Sequence, residues 1–124
     1  MTDELDQRYI RMVEALHRKT VKKELKWGHY SSKEDAYFVP FGSNFVVIGI
    51  NYGAEGDEDV IITIRNSDQI VVDRFTDVGL SDYTPTIEGF QYYFSLMKDL
   101  HRMAARQSSG ADGIIDDILN DLGA

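Results

Sequence analysis

Near the amino end, Leu5, Tyr9, Met12, Val13 and Leu16 recur at three- and four-residue spacing. That spacing lines one face of a helix and predicts one over residues 3–26. Thr2 or Asp3 can cap its start, and Glu4 and Asp6 suit the positive end of its dipole. Lys22, Lys23 and Lys26 suit the negative end, and Gly28 is a natural residue just past the last turn. The β-branched pair Thr20-Val21 marks the point where the helix is weakest.

After a polar stretch over 29–35 the pattern changes to short apolar runs separated by turn residues. Ala36 to Phe41 is an aromatic-rich strand candidate, and Pro40 places it at an edge or strand end. Gly42-Ser43-Asn44 reads as a tight hairpin turn. Phe45 to Tyr52 is apolar on both faces, which predicts a central strand or a face covered by a partner. A Gly-rich acidic loop over 53–59 leads to Val60 to Arg65, with Val60, Ile62 and Ile64 on one side. Asn66-Ser67-Asp68 turns the chain into Gln69 to Phe75. Short turns in succession favour an antiparallel meander over parallel crossovers.

Residues 76–86 read as a loop, with Thr86 as the cap of a helix from Ile87 to about Gln107. Ile87, Phe90, Phe94, Met97 and Ala104 line one face, widened by Tyr93, Leu96, Leu100 and Met103. Tyr92, Tyr93 and Phe94 are consecutive, so at least one must lie at the surface. Ser108-Ser109-Gly110 reads as a hinge. Beyond it Asp112 can cap a short helix from Gly113 to Leu122. The expected fold is therefore α+β: an N-terminal helix, a four-stranded antiparallel meander, a C-terminal helix and a short tail helix. Residues 1–107 form the α+β domain, and 108–124 the hinge and tail.

Composition narrows the chemistry. The chain has 124 residues, no cysteine and a formal net charge of −8. Without cysteine, disulfides, thiolate nucleophiles and cysteine-ligated metals are excluded. Net negative charge repels a phosphate backbone, which argues against general nucleic-acid binding, although carboxylates can imitate phosphates. The acidic amino terminus does not resemble a signal peptide, and no apolar run approaches membrane-spanning length. The expectation is a cytoplasmic protein that does not engage membranes.

Catalytic patterns are missing. His17, His29 and His101 form no paired metal motif, no serine sits in a nucleophile elbow, and Gly49, Gly53 and Gly56 match no phosphate-binding loop. Glu55, Asp57, Glu58 and Asp59 lack the spacing of a calcium loop. No catalytic residue, metal site or cofactor is therefore expected.

Two surfaces stand out. Arg18, Lys19, Lys22, Lys23, Lys26 and Lys33 are interrupted by a single acid, Glu24, and stand beside Trp27, His29 and Tyr30. Lysines next to aromatics suit a phosphate-bearing ligand whose ring stacks, so Lys19, Lys22, Lys23, Lys26, Trp27 and His29 are the candidate ligand site. The alternative is a solvated helix end. The second surface is the tail, where Ile114, Ile115, Ile118, Leu119 and Leu122 form an apolar edge opposite Asp116, Asp117 and Asp121. A helix this short is not stable alone in water. Its edge is expected to dock on its own domain or on a second copy.

The stretches ITIRNSDQIVVDRF, FQYYFSLMKDLHRMAAR and SSGADGIIDDILNDL together resemble small uncharacterised bacterial and phage α+β open reading frames. Those combine a hairpin, a Tyr/Leu-rich helix and an acidic closing helix. The resemblance covers about half the chain and implies an architecture without an activity or functional residues. The reading that follows is a non-enzymatic binding or interaction module acting as a homodimer. The alternative is a phage or mobile-element inhibitor that sequesters a nucleotide ligand or a protein effector.

Overall fold

A computed structural model describes residues 3–124. The first helix, α1, runs from Glu4 to Val21. Asp3 caps it, its carboxylate accepting the Leu5 N–H at 2.8 Å; the other expected cap, Thr2, lies outside the described residues. The helix stops five residues before the periodicity predicts. Lys23 takes a left-handed backbone, φ 62°, and the chain turns to carry Leu25 and Trp27 inward. Gly28 is consequently not a helix terminator but the first residue of a strand.

That strand, β1 (Gly28–Ser31), is the principal correction to the expected fold: the sheet has five strands, not four. It is followed by β2 (Ala36–Phe41), β3 (Asn44–Tyr52), β4 (Glu58–Arg65) and β5 (Val71–Thr76). Their spatial order is their chain order, and every pair is antiparallel. The meander expected from the short turns is thus present. Gly28 lies opposite Phe38, and a Cβ there would sit 2.8 Å from the Phe38 ring. Only glycine allows that approach. Gly42, with φ 65°, makes the turn that pairs Phe41 with Asn44.

A short 3₁₀ turn, Asp77–Leu80, leads into a loop, and α2 spans Tyr93–Ser109. It starts six residues later than predicted. Ile87 and Phe90 pack against the core from the loop instead, because Gly89 (φ 95°) breaks the helical path. Thr86 still meets a helix, but as a hydrogen-bond donor to Glu14 of α1 rather than as a cap. Of the three consecutive aromatics, Tyr93 is buried while Tyr92 and Phe94 are exposed.

Helices α1 and α2 cover one face of the sheet. Val13, Leu16, Leu96, Met97, Leu100 and Ala104 meet Val39, Val46, Ile48, Val60, Ile62 and Phe75 in a single core. Full burial of side chains such as Ile48 and Ile62 contributes about 1.5–3 kcal/mol each. Tyr9 joins α1 to β5: its ring stacks on Phe75 at 4.0 Å and its hydroxyl donates to Asp73 at 2.8 Å. Burial, reinforced by that carboxylate, pushes the Tyr9 phenol up to about 12. Among the described residues the other face of the sheet carries no helix.

Asp77 is buried and accepts the Val60 N–H at 2.7 Å. Burial raises its pKa despite that bond. A carboxyl whose folded pKa is raised opposes folding where it is ionised, and the opposition fades as pH falls below the folded value. Asp77→Asn keeps the acceptor without the charge. The variant is expected to be at least as stable as wild type at pH 7, with an advantage that shrinks toward pH 4 in thermal unfolding. A loss above about 1 kcal/mol at pH 7 would show that the charge itself stabilises the turn.

Candidate functional site

The last helix, α3 (Ala111–Leu122), follows α2 directly. Ser108 and Ser109 belong to α2, so the expected three-residue hinge reduces to Gly110. That residue is left-handed at φ 68° and closes one helix while opening the next. It also takes the capping position expected for Asp112, which instead pairs with Arg106. The charge and hydrogen bond of Arg106, with a smaller contribution from Lys23, hold the Asp112 carboxyl below its ordinary range. No residue of α3 is buried. Ile114, Ile115, Ile118, Leu119 and Leu122 stand 42 to 73 % exposed. The helix therefore does not dock on its own domain, and its apolar edge is uncovered among the described residues.

Close to the end of α1 lies a groove of about 310 Å³ walled by Met12, Ala15, Leu16, Lys19, Leu25, Phe41 and Val46. Its walls are side chains of α1 and the β2–β3 hairpin. Lys19, Lys22, Lys23 and Lys26 are exposed around this end of the molecule. Trp27 does not stand with them as a stacking platform. It is 4 % exposed in the core, with its indole N–H donating to Thr20 Oγ1 at 3.0 Å. His29 is exposed but turned toward Ser32, 2.9 Å away, and toward the Tyr37 ring. The structure thus gathers the lysines, buries the tryptophan and engages the histidine elsewhere.

A larger groove, about 590 Å³, lies on the sheet face that no helix covers. Antiparallel register puts alternate residues of the strands there. Val47, Gly49, Ile61 and Ala36 line its floor, with Thr63, Arg65 and Arg74 beside them. Tyr30, Lys33, Glu34 and Tyr52 complete the rim. Tyr30 packs with Phe38 and Phe45, and the Arg65 guanidinium lies 5.6 Å from its ring centroid. Lys33, counted in sequence with the α1 lysines, belongs to this surface.

The buried ionisable groups sit elsewhere. His17 pairs with Asp99 at 2.8 Å, and the Asp35 carbonyl lies 2.6 Å from His101 Nε2. Burial works to raise Asp99, but hydrogen bonds from Arg102 and His17 outweigh it and leave its pKa lowered. None of these groups, nor Glu14 and Tyr93, lines either groove. Among the described residues no three His, Asp or Glu side chains converge as metal ligands. Glu58, expected in the acidic loop but the first residue of β4, is paired with Lys98 at 2.6 Å. No helix is long and apolar enough to cross a membrane among those residues.

The sequence reading did not anticipate Arg65, Arg74 and Tyr30 as one surface. The signal was available in part: once Val60, Ile62 and Ile64 face the helices, Ile61, Thr63 and Arg65 must share the opposite face. The position of Tyr30 was not, because it depends on β1. No protein-family model, no curated protein and no solved structure matches this chain.

Proposed function

We propose that this chain is a non-enzymatic binding module that works as a homodimer, with α3 of each copy seated in the α1–hairpin groove of the other. The observation that carries this reading is the uncovered aliphatic edge of α3. Ile115, Ile118, Leu119 and Leu122 follow i, i+3, i+4, i+7 spacing and form one stripe. Covering the five aliphatics of this helix contributes on the order of 5–10 kcal/mol before ordering costs.

Charge and shape select the occupant. The tail carries Asp112, Asp116, Asp117 and Asp121 and no base. Packing two such helices side by side would concentrate like charge. The α1 groove instead offers an apolar wall with lysines around it. Reciprocal exchange of α3 gives a closed two-fold assembly in which every copy makes the same contact. Gly110, free to adopt other backbone angles, is the joint that sets its direction.

Light scattering after gel filtration tests the reading. Wild type is expected to run as a dimer. Ile118→Asp with Leu119→Asp is expected to run as a monomer whose far-ultraviolet spectrum loses no more than the helicity of α3, since neither side chain is in the core. Lys19→Glu with Lys22→Glu should weaken the dimer by charge repulsion, most strongly at low salt. A wild type that is monomeric at all working concentrations, or a dimer indifferent to the α3 changes, overturns it.

A further inference from the structure

We infer that the groove on the helix-free sheet face is a binding site for a small phosphate-bearing ligand with a flat ring, of the nucleoside monophosphate class. The inference is independent of the assembly through α3, which involves other residues.

Charge is the first argument. In a chain of net charge −8, this groove collects Lys33, Arg65 and Arg74 against one acid, Glu34. Arg74 lies opposite Thr63, one position diagonal to Arg65 on the same face. Diagonal neighbours on a sheet remain within reach of long side chains. Among the described residues neither guanidinium group has a carboxylate within 4.0 Å, and the Lys33 ammonium has none either. Two guanidinium groups and an ammonium around one opening suit an oxyanion, which arginine can bind through paired N–H donors.

The second argument is an unused donor. Arg65 donates through Nη1 to the Gln69 carbonyl at 2.6 Å, but its Nε is buried without a hydrogen-bond partner among the described residues. A buried unsatisfied donor costs about 1–3 kcal/mol. A swing of the guanidinium into the groove would exchange that orphan for a bond to a ligand oxygen.

The third argument is the floor. Ala36, Val47, Gly49 and Ile61 form an apolar patch bordered by Tyr30 and Tyr52, which favours a flat ring over a bare inorganic ion. Gly49 keeps the floor low: a Cβ there would come within 3.3 Å of both Ala36 Cβ and the Glu34 carbonyl. A volume near 590 Å³ lies in the ordinary range for small-ligand sites, about 300–1,000 Å³. The surrounding negative charge disfavours a long polyanion, so the ligand is small.

The test is calorimetric titration of the full chain with AMP, GMP, CMP and UMP, and separately with adenosine and with inorganic phosphate. At least one monophosphate is expected to bind, more tightly than either adenosine or phosphate alone. Arg74→Glu is expected to weaken it about tenfold or more, the loss of a charge-assisted contact. Lys33→Glu, in an exposed turn, should weaken it as well and guards against misfolding of the first variant. Lys22→Glu with Lys26→Glu should leave the affinity unchanged, and light scattering of Arg74→Glu should match wild type. Binding by none of the four, equal binding of bare phosphate, indifference to Arg74→Glu and Lys33→Glu, or loss on changing Lys22 and Lys26 overturns the inference.

Discussion

Trp27→Ala is expected to destabilise the protein by about 3–5 kcal/mol, the usual cost of emptying a large aromatic site in a core. The indole is 4 % exposed and belongs to the same cluster as Leu16 and Leu100. Its N–H reaches Thr20 Oγ1, whose own hydroxyl donates to the Leu16 carbonyl at 2.7 Å. Its backbone N–H donates to Gln107 of α2 at 3.2 Å. The residue therefore fastens the link after α1 to the core. Because the chain has one tryptophan, unfolding in urea must be followed by circular dichroism rather than indole fluorescence. Trp27→Phe retains the bulk of the ring and gives up the N–H bond, and should cost about 1 kcal/mol beyond the lost volume. A loss below about 1 kcal/mol for Trp27→Ala would place the ring at the surface and return it to the lysine patch.

Tryptophan beside lysines was legible as chemistry and illegible as packing. Sequence places Trp27 next to Lys26, but only the left-handed turn at Lys23 decides that the two point opposite ways. The same turn explains the missed strand. The run Gly28–Ser31 has no alternating apolar pattern, and its pairing arises from β2 alongside it and from the Gly28–Phe38 contact. By contrast β3 and β4 announce themselves, because Val46, Ile48 and Ile50 of one and Val60 and Ile62 of the other are buried at alternate positions. The α2 boundary failed for a related reason. Ile87 and Phe90 satisfy helical spacing while packing from a loop, since periodicity records what is buried and not the backbone that buries it. The tail was legible as an amphipathic helix. Its separation from the core was not, because no single element reveals whether another has room for it.

The surfaces follow the same division. The five aliphatics of α3 can be read from spacing, whereas the groove of Lys33, Arg65 and Arg74 is assembled from a turn and from a β4–β5 hairpin distant from it in sequence. Register alone brings Arg65 and Arg74 together. A charge map drawn along the chain assigns Lys33 to the wrong neighbours. Among the described residues the fold leaves one sheet face and one helix edge without intramolecular cover, and places the histidine–carboxylate pairs away from both grooves.

Glu14→Ala is expected to cost about 3–5 kcal/mol, because it leaves three hydrogen-bond donors without their acceptor at about 1–3 kcal/mol each before relaxation. Glu14 is 5 % exposed in the middle of α1. It accepts the Tyr93 hydroxyl at 2.6 Å and the Thr86 N–H at 3.0 Å, as well as the Thr86 hydroxyl. One carboxylate thereby joins α1, the loop before α2 and the first residue of α2, where the helix has no side-chain cap. Removing it strands three donors in a site closed to water. Burial alone would raise its pKa, but those hydrogen bonds and the nearby Arg18 outweigh it and hold the group below its ordinary value. A carboxylate so depressed contributes stability that is fully present above its unfolded pKa, roughly 4.3, and is lost as pH falls through the lower folded value. Glu14→Gln keeps the shape and one acceptor, so it should cost less than Glu14→Ala. Its deficit against wild type should be constant from pH 7 to about 5 and shrink below about pH 4, following the protonation of the native carboxylate. Urea unfolding across that range measures both features. A deficit that grows on acidification would mean that Glu14 is held protonated in the fold, and the carboxylate would then not be the group that joins the three elements.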